Sequence, residues 1–214
     1  MKDNLANIRQ EYKKGRISRC NLPANPIELF EKWLNEAMEA QVNEPTAVIV
    51  GTVSPDGKPA TRTVLLKGLQ EGKFIFYTNY ESRKGEHMRQ NPHVSLSFVW
   101  HGLERQVHIE GSVSKTSAAE SDAYFRLRPY NSRIGARISP QSRPIPSRVS
   151  LIKSFLAEAS RYVGKEIPRP ENWGGYEVTP GRIEFWQGRP SRLHDRMLYT
   201  LQPTGEWKIE RLAP

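Results

Sequence analysis

The chain has 214 residues, with 32 Lys and Arg against 23 Asp and Glu, giving a net charge of +9. The length suits one domain, or one domain with a small appendage, and the charge attracts anions without choosing among nucleic acid, acidic lipid and phosphorylated metabolites. The single cysteine, Cys20, excludes an intrachain disulfide, no apolar run approaches the roughly 18 residues of a membrane span, and the polar start Met1-Lys2-Asp3-Asn4 leads into no apolar signal core, so a cytoplasmic address and no membrane partner are expected.

Residues 5–14 read either as a short basic helix, with Leu5, Ile8 and Tyr12 on one side, or as a solvated terminus. Asn25-Pro26-Ile27-Glu28 is a helix start, because Asn25 can cap free N–H groups and Pro26 tolerates the first turn. Leu29, Phe30, Trp33, Leu34 and Ala37 then recur at helical spacing and predict a packing helix. The period changes at Thr46, where a β-branched run to Val53 meets the turn signal Asp56-Gly57 and an alternating stretch from Ala60 to Leu66. Phe74 to Tyr77 predicts another strand, and Ser82 caps a short helix running to about Gln90. Val94 to Trp100 and Glu104 to Ser114 read as paired strands around His101-Gly102, and Ser117-Ala118-Ala119-Glu120 is a capping box. A loop rich in Pro, Ser and Arg is expected from Pro129 to Ser147, then a helix from about Arg148 to Val163. Four strands follow: Gly175 to Val178, Arg182 to Gln187, Met197 to Leu201 and Trp207 to Ile209. Consecutive antiparallel strands with a few peripheral helices predict a mainly β chain, a small barrel.

The five histidines lack metal-ligand spacing, so no metal is expected, and there is no nucleophile elbow, P-loop or dinucleotide fingerprint. Basic and hydroxyl residues gather at strand ends instead: Thr61-Arg62-Thr63 with Lys67, then Tyr77-Thr78 with Arg83-Lys84 at a helix start. Free N–H groups and cations pointing the same way make a phosphate cradle, although solvated strand ends would carry the same residues. A second constellation is Ile183-Glu184-Phe185-Trp186-Gln187, then Arg192-Leu193-His194-Asp195-Arg196. On a strand, Arg192, His194 and Arg196 would share one face, with Leu193 and Asp195 turned away. Such a face suits an anionic or electron-rich ligand, or bulk solvent.

This second constellation resembles the signature of the pyridoxamine 5′-phosphate oxidase family. The resemblance also covers Arg62-Thr63-Val64-Leu65-Leu66-Lys67, Phe76-Tyr77-Thr78-Asn79, Ser82-Arg83-Lys84, Leu103-Glu104-Arg105-Gln106-Val107, Ser132-Arg133-Ile134-Gly135, Gln141-Ser142 and the ending Arg211-Leu212-Ala213-Pro214. It implies an FMN-binding split β-barrel over residues 21–214, a mobile lid segment over residues 1–20, and a homodimer. It implies that Arg62 and Lys84 hold the FMN phosphate with Thr78 and Arg83 alongside, within a cofactor set that includes Thr63 and Lys67. Val64, Leu65, Leu66 and Tyr77 would line the flavin and Gln106 would hydrogen-bond it. Gln141, Ser142, Trp186 and Arg196 would reach across from the second subunit. The substrate phosphate would meet Lys67, Tyr124, Arg128 and Ser132, Arg192 and His194 would hold the pyridine ring, and Arg9 and Tyr12 would close over it. The implied activity is oxidation of pyridoxamine and pyridoxine 5′-phosphates to pyridoxal 5′-phosphate, with oxygen as acceptor and hydrogen peroxide as product. One departure is Arg143-Pro144 after Gln141-Ser142, where the family pattern has a second small polar residue.

Two rivals remain at this stage. A split-barrel flavin reductase or non-catalytic flavin binder would have no need of Arg192-Leu193-His194. A nucleic-acid-binding barrel would need aromatics exposed on a basic face, whereas Trp33, Phe74 and Phe76 sit at core-like periods, so no nucleic-acid partner is expected.

Overall fold

The computed structural model describes residues 11–214, which form nine β-strands and five α-helices. Arg9 and most of the expected basic helix lie outside the described residues, and residues 11–14 are not helical. The caps behave as their side chains dictate. Asn25 accepts from the Ile27 N–H at 3.0 Å and starts α1 (Pro26–Glu39). Ser82 caps α2 (Arg83–Gln90), and Ser117 with Glu120 closes the capping box of α3 (Ala118–Leu127).

Three expectations are corrected. The stretch from Pro129 to Ser147 is not all loop: Tyr130–Ile138 is a helix, α4, entered from Pro129 and anchored by the fully buried Ile134. Its Asn, Ser, Arg and Gly content hid it, since one buried side chain leaves no apolar stripe. α5 (Arg148–Arg161) follows after a shorter loop. The expected strands Gly175 to Val178 and Arg182 to Gln187 are one strand, β7 (Trp173–Gln187). Residues 173–178 of β7 pair with β4 and residues 182–187 with β8, so Pro180 falls at the changeover, where its missing N–H breaks neither of those ladders. Finally, β8 begins only at Asp195, so Arg192 and His194 are not on a strand.

The other strands are β1 (Ala47–Val53), β2 (Pro59–Leu65), β3 (Gly68–Gln70), β4 (Lys73–Asn79), β5 (His93–Trp100), β6 (Arg105–Lys115), β8 (Asp195–Leu201) and β9 (Trp207–Arg211). They pair in the order β2-β1-β5-β6-β7-β4-β3, with β8 on β7 and β9 on β8. The chain forms two compact units interleaved in sequence. Of the described residues, unit one holds 11–48, Leu96–Glu110 and Pro180–Pro214; unit two holds Ile49–Ser95 and Gly111–Thr179.

Unit one packs the apolar face of α1 onto strand residues. Phe30 meets Phe98 edge-on at 4.9 Å, and Trp33 meets Phe185 at 5.2 Å. Unit two has a core of Phe125, Ile134, Ile167 and Trp173, flanked by Tyr77, Tyr124, Phe155 and Tyr162. This second core joins α3, α4 and α5 to β4 and β7, and it forms the wall of a cavity.

Candidate active site

The cavity lies within unit two and has a volume of about 300 Å³. Arg62, Thr63, Val64, Leu65, Lys67, Tyr77, Thr78, Lys84, Tyr124, Arg128 and Gln141 line it, as does Trp173, which sequence reasoning had not marked. Four of these residues are cations and none is a carboxylate. Lys84 sits in the first turn of α2. The next residue, Gly85, packs so closely on the Tyr80 carbonyl that an added Cβ would lie 2.0 Å from its oxygen, so only glycine lets the helix start here. The Lys84 side chain is 7% exposed and donates to Gln141 Oε1 at 2.8 Å, Thr78 Oγ1 at 2.9 Å and Ser82 Oγ at 3.2 Å. All three acceptors are neutral. Burial, then the charge of Arg62, pulls the ammonium down to about 8. Arg62 donates to Thr52 Oγ1 at 2.7 Å and to the Val50 carbonyl at 3.2 Å, and burial followed by the Arg83 charge lowers its pKa as well. Two cations desolvated side by side with neutral partners form a site that an anion completes.

Aromatic rings and a second cation make the opposite wall. Tyr77 stacks on Tyr124 at 3.8 Å and on Trp173 at 5.6 Å. The Arg128 guanidinium lies 4.4 Å over the Trp173 ring, and its buried Nη1 has no hydrogen-bond partner. A buried orphan donor of this kind fits a ligand oxygen. Burial raises the pKa of Tyr77 and Tyr124, so both hydroxyls stay neutral and able to donate. Leu66, Arg83, Ser132 and Ser142 belong to unit two but are not among the lining residues. Gln141, expected across a subunit boundary, reaches Lys84 and Thr78 of its own chain.

Unit one holds the remaining expected ligands. Gln106 on β6, Trp186 on β7 and Arg196 on β8 are all half-buried, and Trp186 and Arg196 are register partners. Arg196 is already engaged. Its Nε donates to Glu184 at 2.6 Å, its Nη2 to the other Glu184 oxygen at 3.1 Å and its Nη1 to the Ala213 carbonyl at 2.8 Å. The Glu184 bonds raise its pKa. Sequence reasoning quoted Glu184 within the signature but gave it no role; its pairing depends on the β7–β8 register.

Arg192 and His194 sit on the turn between β7 and β8. Ser191 and Arg192 are both left-handed, with φ of 56° and 62°, a conformation that costs an L residue about 1 kcal/mol or more. The strand alternation expected for them therefore fails. Leu193 is exposed as foreseen, but Asp195 accepts from the Ile17 N–H at 3.0 Å and from Arg211 at 2.7 Å. His194 accepts from the Arg189 N–H on Nδ1 at 3.1 Å, which puts the proton of the neutral ring on Nε2. Burial, then Arg192, lowers its pKa and favours that neutral form. Tyr12 meets Trp186 and His194 edge-on, each at 5.6 Å, over Gly188, where a Cβ would strike the Tyr12 ring at 2.7 Å. Glu104 receives the N–H groups of Lys13 and Lys14 at 2.8 Å and so fixes the chain next to Tyr12.

Among the described residues, no cluster of His, Cys, Asp and Glu could hold a metal, and no helix is long and apolar enough to cross a membrane. Residues 34–162 match the model of the family described as pyridoxamine 5′-phosphate oxidase, and residues 173–214 match the pyridoxine 5′-phosphate oxidase C-terminal dimerisation region. A pyridoxine/pyridoxamine 5′-phosphate oxidase of Bacteroides fragilis is 70% identical over 99% of this chain and 90% of its own length. The protein of the same name from Porphyromonas gingivalis is 58% identical over 99% of both chains. The structure of PhzG from Burkholderia lata, in complex with tetrahydrophenazine-1-carboxylic acid, superposes with a TM-score of 0.86 at 28% identity, covering 91% of this chain and 95% of that one. With its mainly β split-barrel fold and a cationic cavity built from the motif residues, the chain belongs to the pyridoxamine 5′-phosphate oxidase family of enzymes.

Proposed function

We propose that the protein is an FMN-dependent oxidase that converts pyridoxamine 5′-phosphate and pyridoxine 5′-phosphate to pyridoxal 5′-phosphate, with oxygen as acceptor and hydrogen peroxide as product. The observation that carries this reading is the unit-two cavity, where four cations meet no lining carboxylate and Lys84 is buried against neutral oxygens. In this reading Arg62, Lys84 and Thr78 hold the FMN phosphate, with Arg83 nearby. When bound, FMN supplies the two-electron redox chemistry that none of these side chains offers. Lys67, Tyr124, Arg128 and Ser132 hold the substrate phosphate, and the orphan Arg128 Nη1 gains an acceptor. Val64, Leu65, Leu66 and Tyr77 give the flavin an apolar and aromatic bed. Arg192 covers the substrate ring, and His194, protonated on Nε2, donates to the ring's phenolic oxygen. Tyr12 closes over both. A homodimer in the cytoplasm, bringing Trp186 and Arg196 to a partner's cofactor, completes the proposal.

The test is direct. Purified protein is heated, the released chromophore is identified by mass, and oxygen uptake is followed with both phosphate esters. FMN in about one copy per chain, with turnover of at least one ester, is expected. FAD, or no flavin after reconstitution, overturns the cofactor assignment. Sedimentation should give about twice the 24.5 kDa chain mass, and an active, flavin-loaded monomer contradicts the dimer.

A further inference from the structure

Unit one contains a hydrogen-bonded chain that the proposed function leaves unused. Ser97 on β5, and Gln106 and His108 on β6, are all half-buried. His108 Nδ1 lies 3.1 Å from Ser97 Oγ, and His108 Nε2 lies 3.0 Å from Gln106 Oε1. In the orientation the structure shows, Gln106 Oε1 faces Nε2, and because a carbonyl oxygen only accepts, Nε2 carries the proton. The lone pair of Nδ1 then accepts the Ser97 hydroxyl, and the ring is satisfied at both ends in its neutral form. Burial is the main influence that keeps it neutral, while its charged neighbours Glu184 and Arg196 act in opposite directions. Protonation of Nδ1 would reverse the Ser97 bond and leave the Gln106 bond intact.

The consequence falls on Gln106. A glutamine amide can present either its oxygen or its NH₂ group to a ligand, and the two orientations differ by a half-turn of the last torsion. Occupying Oε1 removes that ambiguity and leaves the NH₂ group as the free end. On oxidised isoalloxazine O2, O4, N1 and N5 accept and only N3–H donates, so a locked donor meets most of its polar edge. We propose that His108, held by Ser97, is a positioning residue that fixes the Gln106 amide as a hydrogen-bond donor to bound FMN. This rests on the reading of Gln106 as a flavin ligand and adds the residues that set its orientation. Before binding, an unlocked amide would have to select one of two orientations, and the lock removes that cost.

The experiment refills apo-protein with FMN for the wild type, Gln106→Ala, His108→Leu, Ser97→Ala and the Gln106→Ala/His108→Leu double variant. Quenching of flavin fluorescence gives the dissociation constant, and the absorption spectrum and midpoint potential of the bound flavin report its hydrogen bonding. Gln106→Ala should weaken FMN about threefold to tenfold, the range of one net hydrogen bond, and His108→Leu about twofold, the cost of selecting one of two amide orientations, with the spectrum shifting in the same direction in both. The double variant should be no weaker than Gln106→Ala alone, because His108 acts only through Gln106. Ser97→Ala, which removes one hydroxyl and leaves the fold least disturbed, should give a smaller loss of the same sign. Multiplying losses in the double variant overturn the proposal, as does wild-type binding by His108→Leu, or by Ser97→Ala should His108→Leu fail to fold. Wild-type FMN binding by Gln106→Ala instead overturns the reading of Gln106 as a ligand, and the positioning role falls with it.

Discussion

Lys84 and Arg196 are both proposed cations for the flavin, and the two units hold them in opposite ways. Lys84 is buried against three neutral oxygens beside another cation, and its pKa is pulled down. Arg196 is paired through two nitrogens with Glu184, and its pKa is pushed up. The first arrangement stores an unfavourable desolvation that an incoming anion relieves, so binding is where its stabilisation appears. The second is neutralised within its own unit, so its charge adds little toward an anion and its fixed guanidinium geometry is what it offers. Sites of the first kind bind; sites of the second kind shape.

Arg192 breaks this comparison, because it is a cation with neither arrangement: exposed, left-handed and free of any ion pair among the described residues. In the proposed function it acts through its planar guanidinium over the substrate ring, which an ammonium does not copy. Arg192→Lys should keep full flavin and lose about 2–4 kcal/mol of transition-state stabilisation, the scale of other positioned electrostatic groups. Flavin content and kcat/KM with pyridoxamine 5′-phosphate measure this. Near-normal efficiency with full flavin would show that Arg192 does not have this role.

Lys84→Met gives the next effect. Loss of the charged donor should weaken FMN by about 2 kcal/mol, while apo-protein melting rises, since the buried unpaired charge is gone. The wild type carries the matching pH dependence. Below about pH 8 the Lys84 ammonium is charged in both folded and unfolded chains, and the cost of burying it is fully present. Between about 8 and 10.5 the folded chain releases a proton that the unfolded chain keeps, so apo stability gains from this group as pH rises. FMN binding, which needs the ammonium, should fall in the same window. Melting curves and FMN titrations from pH 7 to 10 test both signs, and in Lys84→Met both trends should vanish.

Much of this is legible in the sequence, and the parts that are not have physical causes. Helix starts at Asn25, Ser82 and Ser117 are written within four residues, because a cap is a local bond between a side chain and nearby backbone. Arg62, Lys67 and Lys84 of the cavity were legible as a cluster at strand ends, whereas Arg128, and the roles of all four, came from the family resemblance. The turn at Ser191 and Arg192 was hidden, since neither residue is a glycine that would announce a left-handed backbone, and strand alternation was the natural reading of Arg192, His194 and Arg196. Supporting residues were hidden for another reason. Trp173 under Arg128, Thr52 under Arg62, Glu184 on Arg196, and Ser97 with His108 beside Gln106 are pairings across elements. Strand register and packing create them, and no spacing along the chain records them.

Arg196→Lys sharpens the comparison with the smallest effect. An ammonium can still pair with Glu184, but it cannot donate two parallel bonds to the carboxylate while a third nitrogen serves the Ala213 carbonyl. Arg196 is 31% exposed and Glu184 is 15% exposed, so the pair is partly screened and its loss should cost about 1 kcal/mol of stability. Because Glu184 still neutralises the cation, FMN binding should weaken by only about 0.5–1 kcal/mol, less than in Lys84→Met. The discriminating variant is Glu184→Gln, which frees the Arg196 charge while keeping an acceptor nearby. If that charge is masked in the wild type, Glu184→Gln should lower protein stability yet leave FMN phosphate affinity unchanged or slightly tighter. Chemical denaturation and FMN titration at 50 and 200 mM salt separate the two effects, since a newly exposed charge acts more strongly at low salt. A loss of FMN in Arg196→Lys equal to that in Lys84→Met would mean that Arg196 binds as a free charge, and that the contrast between the two cations does not extend to the cofactor.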